Sequence, residues 1–146
     1  MIEIKKVETE KELSECFSIR KCVFGYEEET DEHLYKKDKY DRISTTKNFL
    51  LKLNSKSIAT GRYIEEPDRV ARVQRMAILK EFRRKYFASL LISFMEEDMR
   101  RSGYISIILN SASKVKPFYL KNGFSIVSEE FYEDGRPHIT MSKSIK

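Results

Sequence analysis

Tryptophan is absent from this 146-residue sequence, and glycine, proline and cysteine are scarce, at five, three and two residues. The low glycine and proline content excludes collagen-like modules, proline-rich modules and long flexible linkers. The two cysteines, Cys16 and Cys22, lack CxxC spacing and are too few for a disulfide framework, so we expect both thiols to be reduced and buried. Only two histidines accompany them, without the paired spacing of metal ligands, and no metal site is predicted.

Long apolar runs are missing as well. The N-terminus, MIEIKKVETE, has no apolar region of the kind found in signal peptides, and no stretch approaches the roughly 20 apolar residues of a membrane-spanning helix. We therefore expect a cytoplasmic globular protein with no membrane partner. Because no linker, repeat or low-complexity tract marks a boundary, residues 1–146 are expected to form a single domain.

Charged residues are abundant and nearly balanced in sign. The 28 Lys and Arg residues outnumber the 23 Asp and Glu residues, which gives a formal net charge of +5. This mild excess suits an acidic ligand but falls short of the charge density of a dedicated nucleic-acid binder, and acidic residues interrupt most basic runs. No nucleic-acid partner is therefore expected.

The first half of the sequence predicts a strand, a helix and three further strands. Apolar and charged residues begin to alternate over 2–7, and Thr9 stands three residues before Glu12, which is the spacing of a capping box. Helical spacing then continues to Gly25, the expected end of the helix. Further elements are a short helix over about 31–39 and strands over 49–53, 57–64 and 70–79, with a turn at Asn54-Ser55.

The second half predicts a long amphipathic helix and a buried strand. The helix spans 84–102 and ends at Gly103, and the apolar run 104–109 follows it, so that strand, helix and strand form a βαβ unit. A shorter helix is predicted over about 112–121, with Ser111 as its cap, Pro117 as a kink or a late start and Asn122-Gly123 as its end. A strand over 124–131 and a strand over 138–145, joined by a hairpin turn at Asp134-Gly135, complete an α+β fold.

Three cations crowd the predicted start of the long helix: Arg83, Arg84 and Lys85. A helix N-terminus presents free N–H groups and the positive end of the helix dipole, so acidic neighbours and Ser, Asp or Asn caps are preferred there. Each cation costs about 0.3–1 kcal/mol at such an end unless it is compensated, and a bound phosphate would compensate it. A phosphate-binding loop and a solvated basic turn are both compatible with the segment.

Three segments together resemble the GNAT superfamily of acetyl-CoA-dependent N-acetyltransferases, in particular its small bacterial single-domain branch. Residues 75–79 (RMAIL) are similar to the family's central strand, and 83–88 (RRKYFA) to its phosphate loop, Arg/Gln-x-x-Gly-x-Gly/Ala. Leu109-Asn110 and 118–124 (FYLKNGF) are similar to the family segment LN … FYxKxGF. Arg20, Val23-Phe24, Glu27-Glu28 and 134–141 (DGRPHITM) extend the resemblance over nearly the whole chain.

The resemblance implies a mixed, splayed central sheet of about six to seven strands flanked by helices, with acetyl-CoA as cosubstrate in a gap between strands 70–79 and 104–109. The pantetheine would pair with the backbone at 76–78, the pyrophosphate would bind N–H groups of 84–89, and Arg83 and Lys85 would add charge. Tyr119 corresponds to the family's usual general acid, although Phe118 and Tyr119 can also be core residues. The implied cofactor-binding residues are Met76, Ala77, Ile78, Arg83, Arg84, Lys85, Tyr86, Phe87, Ala88, Ser89, Asn110 and Phe118.

Two loop positions depart from the family pattern. Tyr86 stands where the family has its first loop glycine, and Arg84 replaces another frequent glycine. Glycine lets the backbone approach a phosphate closely. The Tyr86 ring can point outwards and leave the N–H groups usable, or it can crowd the pyrophosphate.

The implied activity is acetyl transfer to a primary amine of a small molecule or a lysine side chain, by direct attack in a ternary complex. Direct attack is favoured because Cys16 and Cys22 lie on the first predicted helix, away from any family nucleophile position. Acidic residues in 26–42 favour a cationic acceptor such as a polyamine or an aminoglycoside. The alternative is a catalytically degenerate relative that binds acyl-CoA or another phosphorylated ligand, and dimers are common among proteins that resemble this one.

A general base must take a proton from the incoming ammonium. The sequence offers several acidic candidates and singles out none of them. His138 lies near the expected substrate end of the last strand, where a structural hydrogen bond is an equally good explanation, whereas His33 lies in the charged segment and is expected to be exposed. The acidic candidates are Glu27, Glu28, Glu65, Glu130 and Glu133.

Overall fold

The computed structural model describes residues 1–44 and 47–146 of the chain. In these residues, eight strands form one mixed sheet, and three α-helices pack on it. The strands are β1 (Ile2–Lys6), β2 (Asn48–Leu53), β3 (Lys56–Glu66), β4 (Val70–Ile78), β5 (Ser106–Ala112), β6 (Ser125–Ile126), β7 (Phe131–Glu133) and β8 (Arg136–Ser144), and the helices are α1 (Glu10–Arg20), α2 (Phe87–Arg101) and α3 (Lys116–Lys121).

The sheet divides between its two central strands. Its order is β1-β2-β3-β4-β5-β8-β6, with β7 paired to β8, and β4 and β5 are its parallel pair. Their pairing runs from Val70 opposite Ser106 to Arg72 opposite Ile108, and beyond these residues the two strands diverge. β5 pairs with β8 along its whole length, and β4 continues beside β3. The predicted splayed, mixed sheet is therefore confirmed.

Both faces of the sheet are covered, because neighbouring apolar residues of β2 point to opposite sides. Phe49 and Leu51 belong to the core cluster that includes Leu91 and Met95 of α2, whereas Leu50 packs in the cluster that includes Leu13 of α1. All six side chains are at most 1% exposed. α1 thus lies on one face of the sheet and α2 on the other, with β4 and β5 between them.

The predicted start of α1 is confirmed and its predicted end is wrong. The Thr9 hydroxyl accepts the N–H of Glu12 at 3.1 Å, and the Glu12 carboxylate accepts the N–H of Thr9 at 3.0 Å, which completes the capping box. The chain does not leave the helix at Gly25 but continues in wider, π-helical turns over Lys21–Glu27. Val23 of this segment is buried and packs in the cluster that includes Leu13 and Leu50, which holds the segment against the sheet.

The two cysteines have different environments. Cys16 is fully buried, and burial raises the pKa of its thiol to about 11. Cys22 is exposed, so the prediction that both thiols are buried is wrong for this residue. It lies in the π-helical segment, whose outer side faces the solvent. Both thiols are free, as expected from the cysteine count.

Helix boundaries after β4 differ from the predicted ones. α2 begins at Phe87 rather than at residue 84, because Arg84 and Tyr86 adopt left-handed backbone conformations that a helix cannot include. Ser111 does not cap a helix, since β5 extends to Ala112 through its pairing with β8. α3 therefore starts late, after a 3-10 turn over Ser113–Val115, with Pro117 in its first turn.

The predicted strand over 124–131 is two short strands, β6 and β7. Residues 127–130 between them leave the strand conformation. There the N–H of Thr140 on β8 donates to the Ser128 hydroxyl at 2.9 Å, so a side chain replaces a backbone partner. The alternation of apolar and polar residues could not reveal this break, because it does not show that the Ser128 hydroxyl accepts a hydrogen bond that a backbone carbonyl would accept in a regular strand.

The charged segment before β2 contains one 3-10 turn, Glu32–Leu34, instead of the predicted helix over 31–39. Ion pairs hold it to the sheet. Arg20 contacts both carboxylate oxygens of Asp41 at 3.1 Å, and both side chains are fully buried. Arg62 of β3 contacts the two oxygens of Asp38 at 2.7 and 2.8 Å and reaches Asp41 at 3.2 Å. The described part of the chain holds no helix long and apolar enough to cross a membrane.

Candidate active site

A cleft of about 1220 Å³ lies where β4 and β5 diverge. β4 and the start of α2 form one wall, and β5, α3 and β8 form the other. All residues predicted to bind the cofactor line this cleft, together with the predicted catalytic residue: Met76, Ala77, Ile78, Arg83, Arg84, Lys85, Tyr86, Phe87, Ala88, Ser89, Asn110, Phe118 and Tyr119. The structure therefore brings together residues that lie up to 43 positions apart in the sequence.

The N-terminus of α2 opens into the cleft with unused backbone donors. The first α-helical hydrogen bond runs from the N–H of Leu90 to the carbonyl of Tyr86 at 3.0 Å, so the N–H groups of Phe87, Ala88 and Ser89 precede it. Among the described residues no side chain caps this helix, and its first turn holds no acidic residue. The positive end of the helix dipole is thus free to attract an anion.

Tyr86 points outwards, which is the first of the two alternatives that the sequence left open. Its φ of +70° and the φ of +63° at Arg84 lie in the left-handed region that glycine normally occupies. The Tyr86 side chain is 75% exposed, and the Lys121 ammonium lies over its ring at 5.5 Å. The loop keeps a glycine-type backbone without glycine, and the tyrosine ring turns towards solvent.

This strained backbone predicts an unusual order of stability among variants. The free energy of unfolding of Tyr86→Gly is expected to be about 1 kcal/mol higher than that of Tyr86→Ala. The reason is that the left-handed conformation costs an L-residue with a side chain roughly 1–2 kcal/mol. Urea unfolding of both variants measures the difference. At exposed Glu97, inside α2, the order reverses, with Glu97→Ala more stable than Glu97→Gly by about 1 kcal/mol. The same order at both positions would contradict the prediction.

Arg83 is engaged with its own chain rather than pointing freely into the cleft. Its guanidinium forms a two-pronged ion pair with Glu27, one contact at 2.7 Å, and donates to the carbonyl of Ile78 at 2.9 Å. The hydrogen bond from Arg83 lowers the pKa of the Glu27 carboxyl. The pair ties the π-helical segment to the end of β4, and Arg84 and Lys85 remain the exposed cations of the loop.

Tyr119 lies at the opposite wall, on α3. Its side chain is 7% exposed and packs between the rings of Phe118 and Phe124, with centroid distances of 4.9 and 5.5 Å. Burial raises the pKa of the Tyr119 hydroxyl well above its usual range. The phenol therefore stays protonated at neutral pH and can act as a proton donor.

Glu133 and His138 form a polar group beside Asn110 in the cleft. The Asn110 amide donates to Glu133 at 3.0 Å, and its carbonyl accepts the Thr140 hydroxyl at 2.9 Å. His138 Nδ1 lies 2.9 Å from the carbonyl of Arg136, and because a carbonyl only accepts, Nδ1 is the donor of this contact. Nε2 lies 3.8 Å from the Glu133 carboxylate.

The other acidic candidates for a base are occupied or lie elsewhere. Glu28 pairs with Arg136 at 3.0 Å, and Glu130 is exposed and accepts the Ser113 hydroxyl at 2.7 Å. Glu65 lines a surface groove at the far end of β3. His33 is exposed, as expected, and contacts Asp134 at 3.2 Å. Of the candidate bases that line the cleft, Glu133 and His138 have no Arg or Lys ion-pair partner in the described part of the chain.

Arg75 also lines the cleft, and sequence reasoning gave it no role beyond its place in the strand. It lies in β4 with a φ of +58°, where the register between β3 and β4 shifts. A bulge of this kind re-aims a side chain from the ordinary alternation of a strand. No local residue pattern signals the bulge, because arginine is not a residue that normally adopts a left-handed backbone.

The sequence and the fold are similar to those of known proteins. The family model of the acetyltransferase (GNAT) domain matches residues 7–145. The uncharacterized protein YyaT of Bacillus subtilis strain 168 is 33% identical over 146 residues, which cover 97% of this chain and 95% of YyaT. The crystal structure of a candidate N-acetyltransferase of Lactobacillus plantarum superimposes with a TM-score of 0.90 at 20% identity, over 99% of each chain. PaiA N-acetyltransferase of Thermoplasma acidophilum, in complex with coenzyme A, superimposes with a TM-score of 0.73 at 17% identity, over 99% of each chain.

Proposed function

The chain belongs to the acetyltransferase (GNAT) family, and on that premise we propose that it acts as a single-domain N-acetyltransferase that transfers the acetyl group of acetyl-CoA to a primary amine. One observation carries the proposal: a single cleft holds both an uncapped helix N-terminus and a buried, protonated tyrosine. The first suits a pyrophosphate, and the second suits the thiolate that leaves when an amine attacks a thioester.

In this proposal the cofactor lies along β4. Its pyrophosphate accepts hydrogen bonds from the backbone N–H groups of 87–89, and Arg84 and Lys85 add positive charge. Its pantetheine amides pair with the backbone of 76–78, which faces the cleft where β5 has diverged. Asn110 and Phe118, on the opposite wall, position the thioester end. The coenzyme A complex of the Thermoplasma PaiA enzyme, which shares this fold, supports the assignment of the ligand.

The proposed reaction is a direct attack without a covalent enzyme intermediate. The neutral amine nitrogen forms a bond to the thioester carbon, and a tetrahedral oxyanion results. Its collapse breaks the carbon–sulfur bond, and the sulfur takes the proton of the Tyr119 hydroxyl. The free thiols support this route, because Cys16 is buried under the sheet and Cys22 is exposed in the π-helical segment.

The amine proton passes to the group formed by Glu133 and His138. His138 Nε2 offers a lone pair, and Glu133 at 3.8 Å stabilises the imidazolium that forms. A water molecule can bridge the amine and the imidazole. The proton balance then closes when the base returns its proton to solvent and Tyr119 is reprotonated.

A thermal-shift titration with acetyl-CoA tests the proposal first. At about 100 times Kd, a one-site ligand adds roughly 2.7 kcal/mol to the free energy of unfolding, which raises the melting temperature clearly. Inorganic phosphate and ATP serve as controls, since the loop alone would bind them. A shift for acetyl-CoA beyond both controls, followed by free-thiol release with amines, is the expected result.

The same titration separates the enzyme from a degenerate relative that binds phosphorylated ligands without catalysis. Because the Tyr86 side chain points outwards, Tyr86→Gly is expected to bind acetyl-CoA with nearly the wild-type Kd. A large gain in affinity in this variant would show that the native loop is impaired. A shift by ATP equal to that by acetyl-CoA, without thiol release for any amine, would favour the degenerate relative.

A further inference from the structure

Three guanidinium groups, those of the buried Arg20 and Arg62 and of the partly buried Arg75, share two carboxylates beside the cleft. Asp41 is taken by Arg20 and Arg62, and both oxygens of Asp38 are taken by Arg62. Arg75 is the third guanidinium. Among the described residues, the ion pairs of these three arginines all go to Asp38 and Asp41. The cluster therefore carries one positive charge more than its carboxylates balance. A charge held away from solvent without a close partner is unfavourable, so a bound anion that balanced this excess positive charge would stabilise the cluster.

Arg75 is the member of the cluster with the weakest ion pair. Its contact with Asp38 is long, 3.8 Å, and its side chain is only 16% exposed. Its Nε is buried and has no hydrogen-bond partner in the part of the chain that the structure describes. Burial, followed by the positive charge of Arg62, lowers the pKa of Arg75. The Nε of Arg20 is also unpartnered, but Arg20 is fully buried and does not line the cleft.

Arg75 lies at the end of the cleft where the acceptor enters. It directly precedes the 76–78 backbone, along which the pantetheine is proposed to lie, and it is on the side away from the phosphate loop at 83–89. The cleft lining also includes Gln74 of β4 and, from the charged segment, Thr30 and Leu34. An anion at Arg75 would thus belong to the acceptor rather than to the phosphates of the cofactor.

Three of the acidic residues that line the cleft already contact arginine or histidine side chains of the chain itself. Glu27 pairs with Arg83, Glu28 with Arg136, and Asp134 with His33. Counting charges along the sequence could not show these pairs. Arg75 consequently offers an acceptor a guanidinium that lines the cleft and whose Nε has no hydrogen-bond partner in the described part of the chain.

We infer that the acceptor is a small amine that also bears a carboxylate, and that Arg75 binds this carboxylate. The inference rests on the proposed acetyl transfer and adds the substrate class to it. A carboxylate matches the planar donor set of a guanidinium, and charge-assisted hydrogen bonds of this kind are about twice as strong as neutral ones. The amine of such a molecule faces the thioester while its carboxylate supplies a closer partner for Arg75 than Asp38 does.

Matched pairs of amines test the inference on the wild-type protein. Each pair differs by one carboxylate: L-lysine and cadaverine, L-ornithine and putrescine, L-phenylalanine and phenethylamine. The kcat/KM of the carboxylate-bearing member is expected to be higher by about tenfold or more, because one charge-assisted contact is worth at least one factor of ten. L-alanine, alanyl-alanine and their amides distinguish a free amino acid from the C-terminus of a peptide as the source of the carboxylate.

Two variants assign the preference to Arg75. Arg75→Gln is expected to lose it, with a KM for the carboxylate-bearing amine raised by about tenfold or more and a preserved thermal shift with acetyl-CoA. Arg72→Gln is the matched control, because Arg72 lines the same cleft on the same strand but pairs with Glu66. This control is expected to keep the preference. The wild-type enzyme is expected to be inhibited by propionate but not by propionamide. This comparison tests carboxylate binding without depending on the folding of a variant.

The outcomes separate the two proposals. Absence of an acetyl-CoA shift in the wild-type protein would overturn the acetyltransferase proposal itself. Acetyl-CoA binding and amine acetylation without a preference for carboxylates, or an unchanged preference in Arg75→Gln, would overturn the inference about the acceptor alone. Equal loss of the preference in Arg75→Gln and Arg72→Gln would also count against it. The overall positive electrostatic potential of the cleft, rather than a specific contact with Arg75, would then explain the preference.

Discussion

Replacing Tyr119 by phenylalanine is expected to lower kcat by roughly 10²- to 10⁴-fold while the Kd of acetyl-CoA stays near the wild-type value. The substitution removes one hydroxyl and keeps the ring that packs between Phe118 and Phe124. This hydroxyl is protonated throughout the neutral range, as an ordinary tyrosine is, and burial raises its pKa further, so its proton is present when the sulfur leaves. Steady-state release of free thiol and a parallel acetyl-CoA titration measure the two quantities separately.

Tyr104 provides the matched control for this loss of a hydroxyl. Its side chain is also 7% exposed, but its hydroxyl accepts the Lys47 ammonium at 3.0 Å on another part of the sheet and does not line the cleft. Tyr104→Phe is expected to change the stability slightly and to leave kcat unchanged. A wild-type kcat in Tyr119→Phe would remove Tyr119 from the mechanism, and an equal fall in Tyr104→Phe would point to a general loss of structure.

Asp41→Asn is expected to lower the free energy of unfolding by about 3–5 kcal/mol, the usual cost of removing one partner from a buried ion pair. Asp41 is fully buried and contacts both Arg20 and Arg62, so among the described residues the amide would leave Arg20 without a carboxylate and Arg62 with Asp38 alone. Chemical denaturation at neutral pH measures the change. Glu32→Gln, which breaks the exposed pair between Glu32 and Lys36, is expected to remain close to the wild type.

The pH dependence gives this prediction a second test. Burial alone would raise the pKa of Asp41, but the hydrogen bonds and charge of Arg20, with further help from Arg62, lower it well below its ordinary value of 3.8. A carboxyl with a lowered pKa contributes stability above its unfolded-state pKa and loses it as the pH falls below that value. The stability difference between wild type and Asp41→Asn should therefore be constant near neutrality and shrink in acid. A difference that grows in acid would contradict the assignment.

Much of the fold could be predicted because its signals are local. The capping box of Thr9 and Glu12, the apolar face of α2 and the left-handed Gly103 and Gly123 after two helices are all encoded within a few residues. The candidate site could be predicted for a related reason. The phosphate loop follows β4 directly and Tyr119 follows β5 closely, and two parallel neighbours present these ends at the same edge of the sheet.

The features that could not be predicted depend on distant residues. Asp41 and Arg20 are 21 positions apart, and in the sequence Asp41 belongs to a charged run that resembles a solvated surface. The left-handed backbone at Arg84 and Tyr86 contradicts the usual preference for glycine, so no residue pattern could place α2 correctly at its start. The weak ion pair of Arg75 is visible only once the acids around it have been assigned to other cations.

The divergence of β4 from β5 has a consequence for how the chain avoids unwanted association. A strand edge with free backbone groups invites pairing with any extended polypeptide, and proteins usually protect such edges at the rim of a sheet. Here the edge is created in the middle of the sheet, between α2 on one side and α3 on the other. The adjacent walls shield it from a strand of a second molecule. A narrow, flexible chain can still enter, so the recess acts as a size filter that separates small extended ligands from neighbouring proteins.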